Sequence, residues 1–358
     1  GVGWEHVLVR HETFEDFYAE GRAMGDGAAV DLTGLKLHVD AYKQGWLDTA
    51  CLPPFERASF ESDEIEVQEG FDELLPSWNA ECASNVGFRV DVRVAAEGMW
   101  SPWLEIGYWG APLPTRFTEE NSTPSLDDVS VSIDVLECKR RCNRAQYRIR
   151  ATADEKDSGD VRFRRVTLCF SRKVDAHATK PFTVPHEAIK RIDVPYRSQR
   201  VEPSEISGRI CSPTSVAMVL GYRGVELPTA QVAERLFDAE HDIYGNWNRA
   251  VQGAFSLGVP GYLARFDDWN EVAALVTAGQ PLVISIAVKP GELDGAPYEK
   301  TAGHLLVLTG FDEHGDVCVN DPAAIDAAKG RATYKRAQLE HVWMARGGTS
   351  YVLLPKAR

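Results

Sequence analysis

Cys211 stands directly before Ser212-Pro213-Thr214 and an apolar run that reaches Leu220. Serine is a good helix cap and proline is tolerated in a first turn. The cysteine therefore falls at a helix N-terminus, where the dipole and unpaired N–H groups favour a thiolate. A thiolate is what a cysteine nucleophile needs, but a cysteine at a helix start is more often inert. Its meaning depends on a base. Gly303-His304-Leu305-Leu306-Val307-Leu308 puts a histidine at the mouth of a hydrophobic strand. A polar turn follows from Asp312 to Asp316, and Val317 to Pro322 returns. A hairpin folded about His314 sets residue 307 opposite residue 321 and brings Asp321 close to His304. There a carboxylate would fix the imidazole tautomer while the other ring nitrogen faces the thiol. An oxyanion also needs donors. Gln199, twelve residues before Cys211, would supply one from its side-chain amide, and the Cys211 backbone N–H a second.

The elements that must carry these residues follow from hydrophobic period. Thr214 to Leu220, Thr229 to Phe237, Asn248 to Leu257 and Trp269 to Ala278 have helical spacing. Leu282 to Val288, Leu305 to Phe311, Val317 to Asn320 and Tyr351 to Leu354 read as strands. Gly347-Gly348 reads as a hairpin turn. Helices first and an antiparallel sheet afterwards is an α+β order. The preceding half reads as β. Phe88, Val90, Val92 and Val94 alternate with Arg89, Asp91 and Arg93, the signature of a half-buried strand. Val129, Val131, Ile133 and Val135 repeat the pattern, as do Val166, Leu168 and Phe170. Turn-rich stretches at 119–125 and 154–159 separate such runs, and a short helix is expected near Thr13 to Glu20. Short strands of this kind predict an antiparallel sandwich. Between Ser171 and Lys190 the pattern dissolves into a linker. The expected organisation is a β-sandwich accessory domain over 1–180 and an α+β domain over 181–358.

A chain of 358 residues fits two domains. A net charge of -14 argues against nucleic acid and against docking on an anionic membrane. No apolar run approaches the roughly 20 residues that span a bilayer. The sequence opens at Gly1 with no leader pattern, so the expectation is an intracellular protein or an exported one whose leader has been removed. Seven cysteines are too sparse for a disulfide scaffold. One catalytic thiol and three bridges would use them all, yet Cys169 and Cys318 sit in apolar strand patterns and read as buried thiols. Cys138 and Cys142 have roughly metal-ligand spacing without a second pair nearby, so a turn or a local thiol pair is expected and no metal. The remaining histidines are scattered.

Five segments together match a known pattern. Asp193 to Gln199, Cys211 to Ser215, Gly279-Gln280-Pro281-Leu282-Val283, Gly303-His304 and Asn320-Asp321-Pro322-Ala323 resemble the C39-like peptidases. These are relatives of the bacteriocin-processing, double-glycine-leader enzymes among the papain-like cysteine peptidases. The resemblance covers about residues 190–355. It implies a papain-like fold, Cys211 as nucleophile, His304 as general base and acid, Asp321 as orienter and Gln199 in the oxyanion hole. Asn246 and Trp247 resemble the segment flanking the substrate cleft. Ser212 stands where that family usually has glycine, and Gln199 lies further ahead of the cysteine than in leader-processing members. The expected substrate is a peptide or protein, with no metal or organic cofactor. The rivals are a retired active site serving as a binding module with recognition by the sandwich, and an acyltransferase using the same triad. The N-terminal half resembles the strand-rich extension of some bacterial C39-like proteins. Its Trp78, Trp100, Trp103 and Trp109 read as core, the alternative being a stacking platform for carbohydrate or cell-wall contact.

Overall fold

The computed structural model describes residues 2–24, 28–31, 34–39, 58–111, 113, 125–153, 158–175 and 180–356. Most of the turn-rich stretches at 119–125 and 154–159, and Cys51, lie outside the described residues. The chain divides into two compact units, Val7–Arg172 and Gly1–His6 with Lys173–Arg358.

In the β unit, the strands in chain order are β1 (Val2–His11), β2 (Gly21–Met24), β3 (Ala28–Asp31), β4 (Gly34–Val39), β5 (Ser59–Ser62) and β6 (Ile65–Cys82). They continue as β7 (Val86–Ala96), β8 (Met99–Trp100), β9 (Leu104–Gly110), β10 (Val129–Ser132), β11 (Val135–Ala153) and β12 (Gly159–Asp175). Helix α1 (Phe14–Ala19) begins at Thr13, whose side chain accepts the Asp16 N–H while the Asp16 carboxylate accepts the Thr13 N–H, a reciprocal cap. The ladders of β6, β7, β9 and β11 run antiparallel. β11 pairs β6 through Ala145 and β7 from Arg144 onward, and the β6 ladder is broken by register shifts on either side of Cys142.

The alternation in β7 is real, but its polar side does not face water. Phe88, Val90, Val92 and Val94 lie opposite Ala151, Ile149, Tyr147 and Ala145, all buried in the core. On the other face Arg89, Asp91, Arg148 and Arg150 are buried too. Asp91 accepts Arg148 Nε at 3.0 Å and Arg150 Nε at 2.8 Å, and Arg150 also reaches Glu105. Period alone cannot distinguish a solvated polar face from a covered one whose charges cancel. The 129–135 alternation is likewise interrupted. Ile133 sits at φ 59°, in a two-residue turn that returns β10 onto β11 with Ser132 opposite Val135. No glycine or asparagine marks this turn. Trp78 and Trp109 are core, whereas Arg93 lies over both Trp100 and Trp103, and Arg148 over Trp103.

In the second unit, the helices are α2 (Cys211–Tyr222), α3 (Thr229–Leu236), α4 (Trp247–Ser256), α5 (Trp269–Thr277), α6 (Ala327–Gly330) and α7 (Arg336–Met344). The strands are β13 (Lys190–Arg191), β14 (Gly261–Arg265), β15 (Leu282–Val288), β16 (Thr301–Phe311), β17 (Val317–Asn320), β18 (Arg331–Tyr334) and β19 (Thr349–Leu353). They form an antiparallel sheet in the order β14-β19-β15-β16-β17-β18, with β13 also on β16. The structure is α+β, a β unit followed by helices and an antiparallel sheet. α2 is buried along nearly its whole length. Ser215 Oγ ties it to the Leu305 carbonyl of β16 at 3.2 Å.

Three local expectations are corrected. β16 begins at Thr301, so His304 lies within the strand rather than at its mouth. Val307 faces Asn320, one residue from the expected 321, because a bulge between Leu308 and Gly310 shifts the register. Gly347 and Gly348, both at positive φ, do not make a hairpin. They terminate α7, their N–H groups bonding the Met344 and Trp343 carbonyls before β19 starts. β14, β18, α6 and α7 are too short or too polar on their exposed faces to stand out by period.

The bulge depends on Gly310, where a Cβ would lie 1.7 Å from the Lys190 carbonyl oxygen of the adjoining strand. Backbone cannot yield there as a side chain tip would. Gly310→Ala is expected to destabilise the protein by more than about 2 kcal/mol. Gly303→Ala, whose Cβ would meet nothing within 4 Å, is expected to leave the melting temperature nearly unchanged. Thermal melts of the two variants check this.

Candidate active site

The start of α2 differs from the capped helix expected. The helix begins at Cys211 itself, and Ile210 precedes it with no side-chain cap. Ser212 does not cap. Its Oγ is fully buried and pairs with the Tyr351 hydroxyl at 2.9 Å. Pro213, in the first turn, has no N–H to leave unpaired. At this helix start the Ser212 N–H is hydrogen bonded to the half-buried Cys211 sulfur.

β16 brings His304 to that sulfur. His304 is buried and its Nε2 bonds Asp321 Oδ1 at 2.8 Å. Its other nitrogen, Nδ1, is the one left for Cys211, with which the ring is hydrogen bonded. Burial by itself would raise the Cys211 thiol. The hydrogen bond and charge of His304, with the Leu305 and Ser212 N–H groups, outweigh that and hold it below its ordinary value. Burial would lower the imidazole, but the charge and hydrogen bond of Asp321 and the pairing with Cys211 raise it to about 10. The arrangement favours a thiolate facing an imidazolium.

Asp321 lies just beyond the end of β17 and is almost completely buried. Burial pushes its carboxyl up, yet His304, Tyr334 and the Ala323 N–H hold it below the usual carboxylate range. Its Oδ1 also accepts the Ala323 N–H at 3.0 Å. Its Oδ2 accepts the Tyr298 hydroxyl at 2.8 Å and the Tyr334 hydroxyl at 2.7 Å. These two tyrosines were not legible in the sequence. They lie 23 and 13 residues from Asp321, on segments with no motif of their own.

Gln199 is buried, and its segment is stitched to the residues after Asp321. Its N–H donates to the Pro322 carbonyl at 2.9 Å, and Arg200 Nε donates to the Ala323 carbonyl at 3.1 Å. One hydrogen of the Gln199 amide goes to the Ser207 carbonyl at 2.7 Å, while Oε1 has no hydrogen-bond partner. An amide carries two such hydrogens, so this contact leaves one donor. Asn246 and Trp247 do structural work. Asn246 caps α4 through the Arg249 N–H and donates to Asp238 Oδ2 at 2.9 Å. Trp247 is buried beneath the Arg346 guanidinium.

The cysteines at 82, 138, 142, 169, 211 and 318 are all free thiols. Cys138 and Cys142 are hydrogen bonded to each other on β11. Among the described residues no group of three His, Cys, Asp or Glu side chains is placed to hold a metal ion. No helix among them is long and apolar enough to cross a membrane.

Residues 191–351 match the family described as Peptidase_C39 like family, and residues 7–171 match the Peptidase C39 N-terminal domain. No curated protein matches the chain. Among solved structures, a C39-like peptidase from Bacillus anthracis is 19% identical, over 47% of this chain and 100% of that one, with a TM-score of 0.36. A double glycine motif protease from an AMS/PCAT transporter, in complex with the leader peptide, is 21% identical over 46% of this chain and 94% of its own, at 0.32. The peptidase domain of Streptococcus ComA is 16% identical over 42% and 93%, at 0.30.

The His304–Asp321 pair has a defined pH signature. A raised imidazole stabilises the fold fully below its ordinary value of ~6.5, and that contribution is lost as pH rises through about 10. A lowered carboxyl contributes above its ordinary value of ~3.9, and that is lost as pH falls through the lower folded value. The difference in melting temperature between wild type and Asp321→Asn is expected to be largest between about pH 4 and 6.5. It should shrink steadily toward about pH 10, as melts across a pH series would record.

Proposed function

We infer that residues 191–351, which belong to the Peptidase_C39 like family, form a cysteine peptidase that works through Cys211, His304 and Asp321. The observation that carries this reading is the Cys211–His304–Asp321 chain of contacts, a half-buried thiol on an imidazole whose far nitrogen is fixed by a buried carboxylate. The thiolate attacks the carbonyl carbon of a peptide bond, and the carbonyl electron pair moves to oxygen. The opening N–H groups of α2 and the remaining Gln199 amide hydrogen are the donors for that oxyanion. Collapse of the tetrahedral adduct breaks the C–N bond, and His304 gives its Nδ1 proton to the departing amine. This leaves a thioester on Cys211 and a neutral imidazole. His304 then takes a proton from water as the water attacks the thioester. The acid leaves, and the thiolate–imidazolium pair is restored. Asp321 keeps its charge throughout and holds the tautomer.

Peptide is the substrate class this chemistry addresses. Residues 7–172 are an accessory domain in this reading, supported by their separate family match and by their own core.

Incubating the full chain with a complex peptide mixture tests the proposal. Wild type is expected to generate new termini and to accumulate a Cys211 thioester on rapid acid quench. Cys211→Ala should lose both, with turnover falling by a factor of 10³ or more, on the order seen when a nucleophile is removed. Unchanged cleavage by Cys211→Ala would refute the assignment.

A further inference from the structure

Asp321 carries more hydrogen bonds than orienting one imidazole requires. Two of them come from the tyrosines on Oδ2, and the two tyrosines are held differently. Tyr334 is fully buried at the end of β18, inside the sheet. Tyr298 arrives on residues 289–300, a largely exposed connection between β15 and β16. It touches both partners of the pair: its hydroxyl is on Asp321, and its ring stands edge-on to the His304 ring, with centroids 4.8 Å apart and planes at 61°.

That connection is fastened from outside. Glu292 pairs with His341 on α7, and its Oε1 accepts the Lys289 N–H at 2.6 Å. Asp294 Oδ2 accepts Lys335 Nζ at 3.0 Å and Gln338 Nε2 at 3.1 Å, while its N–H donates to Gln338 Oε1 at 2.9 Å. Leu293, between them, is buried. Gly291 and Gly295 supply the positive-φ turns on either side. Single exposed ion pairs contribute little. Here four polar contacts converge on one short connection and fix where its one inward-facing aromatic lands.

We propose that Tyr298 is a positioning residue for His304, delivered by a connection clamped to α7 through Glu292 and Asp294. An imidazole bonded at Nε2 alone can still swing about that bond. The Tyr298 ring edge blocks the swing, and its hydroxyl keeps Asp321 from following, so that Nδ1 stays on the Cys211 sulfur. Partners of this kind around a working histidine govern its orientation more than its identity. The inference rests on the Cys211–His304 reading above. The charged and titratable groups facing His304 are Cys211, Asp321 and Tyr298, while Tyr334 faces Asp321 behind it.

The test is the rate of Cys211 alkylation by iodoacetamide across a pH series, on the full chain. It compares wild type with Tyr298→Phe, Tyr298→Leu and Asp294→Ala. Wild type is expected to react on the acid side of the ordinary thiol range. Tyr298→Leu, which loses hydroxyl and ring, should slow that acid-side rate on the order of tenfold and move the acid limb upward, the size of one hydrogen bond to a charged group. Tyr298→Phe should fall between the two. Asp294→Ala touches neither His304 nor Asp321, and should move the limb the same way with its melting temperature unchanged. Acid-side reactivity in wild type with unmoved limbs in Tyr298→Leu and Asp294→Ala overturns this inference alone. A wild type without acid-side reactivity removes the thiolate–imidazolium pair and the inference with it.

Discussion

A buried imidazole cannot carry charge unless something nearby returns what it loses by leaving water. His304 is buried, and the rest of the second unit is arranged around that debt. Asp321 supplies the opposite charge on one side, and the Cys211 sulfur accepts from the other. Asp321 is itself buried, so it needs four donors of its own, from His304, Ala323, Tyr298 and Tyr334. Each donor belongs to a different stretch of chain. The register of β16 on β17, the bulge at Gly310, the turn after Asn320 and the end of β18 must all be right for one carboxylate to be satisfied. Charge compensation thus couples the sheet's topology to the state of a single thiol.

The β unit solves a similar problem. Asp91 lies between Arg148 and Arg150, with Arg89 and the half-buried Glu105 completing a charged layer on the polar face of β7 and β11. The guanidiniums of Arg93 and Arg148 both lie over the Trp103 ring. The apolar face makes the core, and the charged face adds specificity of register, because a one-residue slip would set Arg89 and Asp91 against the apolar residues of β11. In both units buried charge is tolerated where partners come from neighbouring strands.

The order of helices and strands in the second unit was legible because its core segments are apolar and long enough for period to show. Residues 282–288 appear as a strand with the bounds expected. Cys211, His304 and Asp321 were legible as a set because each sits beside a structural landmark, respectively a helix start, a strand and a turn. What escaped notice had no such landmark. Tyr298 and Tyr334 act through a hydroxyl on a residue far away in sequence. The Leu308–Gly310 bulge leaves the hydrophobic pattern intact while shifting the register by one. The burial of Arg89 and Asp91 contradicts their type and depends on Glu105 for the first and on Arg148 and Arg150, more than fifty residues away, for the second. Ser212 looked like a cap because serine so often is one. Its hydroxyl goes instead to Tyr351, a partner that only the folded sheet supplies.

The central claim is that Cys211 is a thiolate because His304 and Asp321 make it one. Ultraviolet titration of the thiolate absorbance, taken as the difference between wild type and Cys211→Ala, measures that directly. The account predicts that the Cys211 step lies below the ordinary thiol value of ~8.5 and moves upward in His304→Ala, where only the Leu305 and Ser212 N–H groups still oppose burial. A Cys211 step at or above the ordinary value in wild type, or one indifferent to His304→Ala, would contradict it.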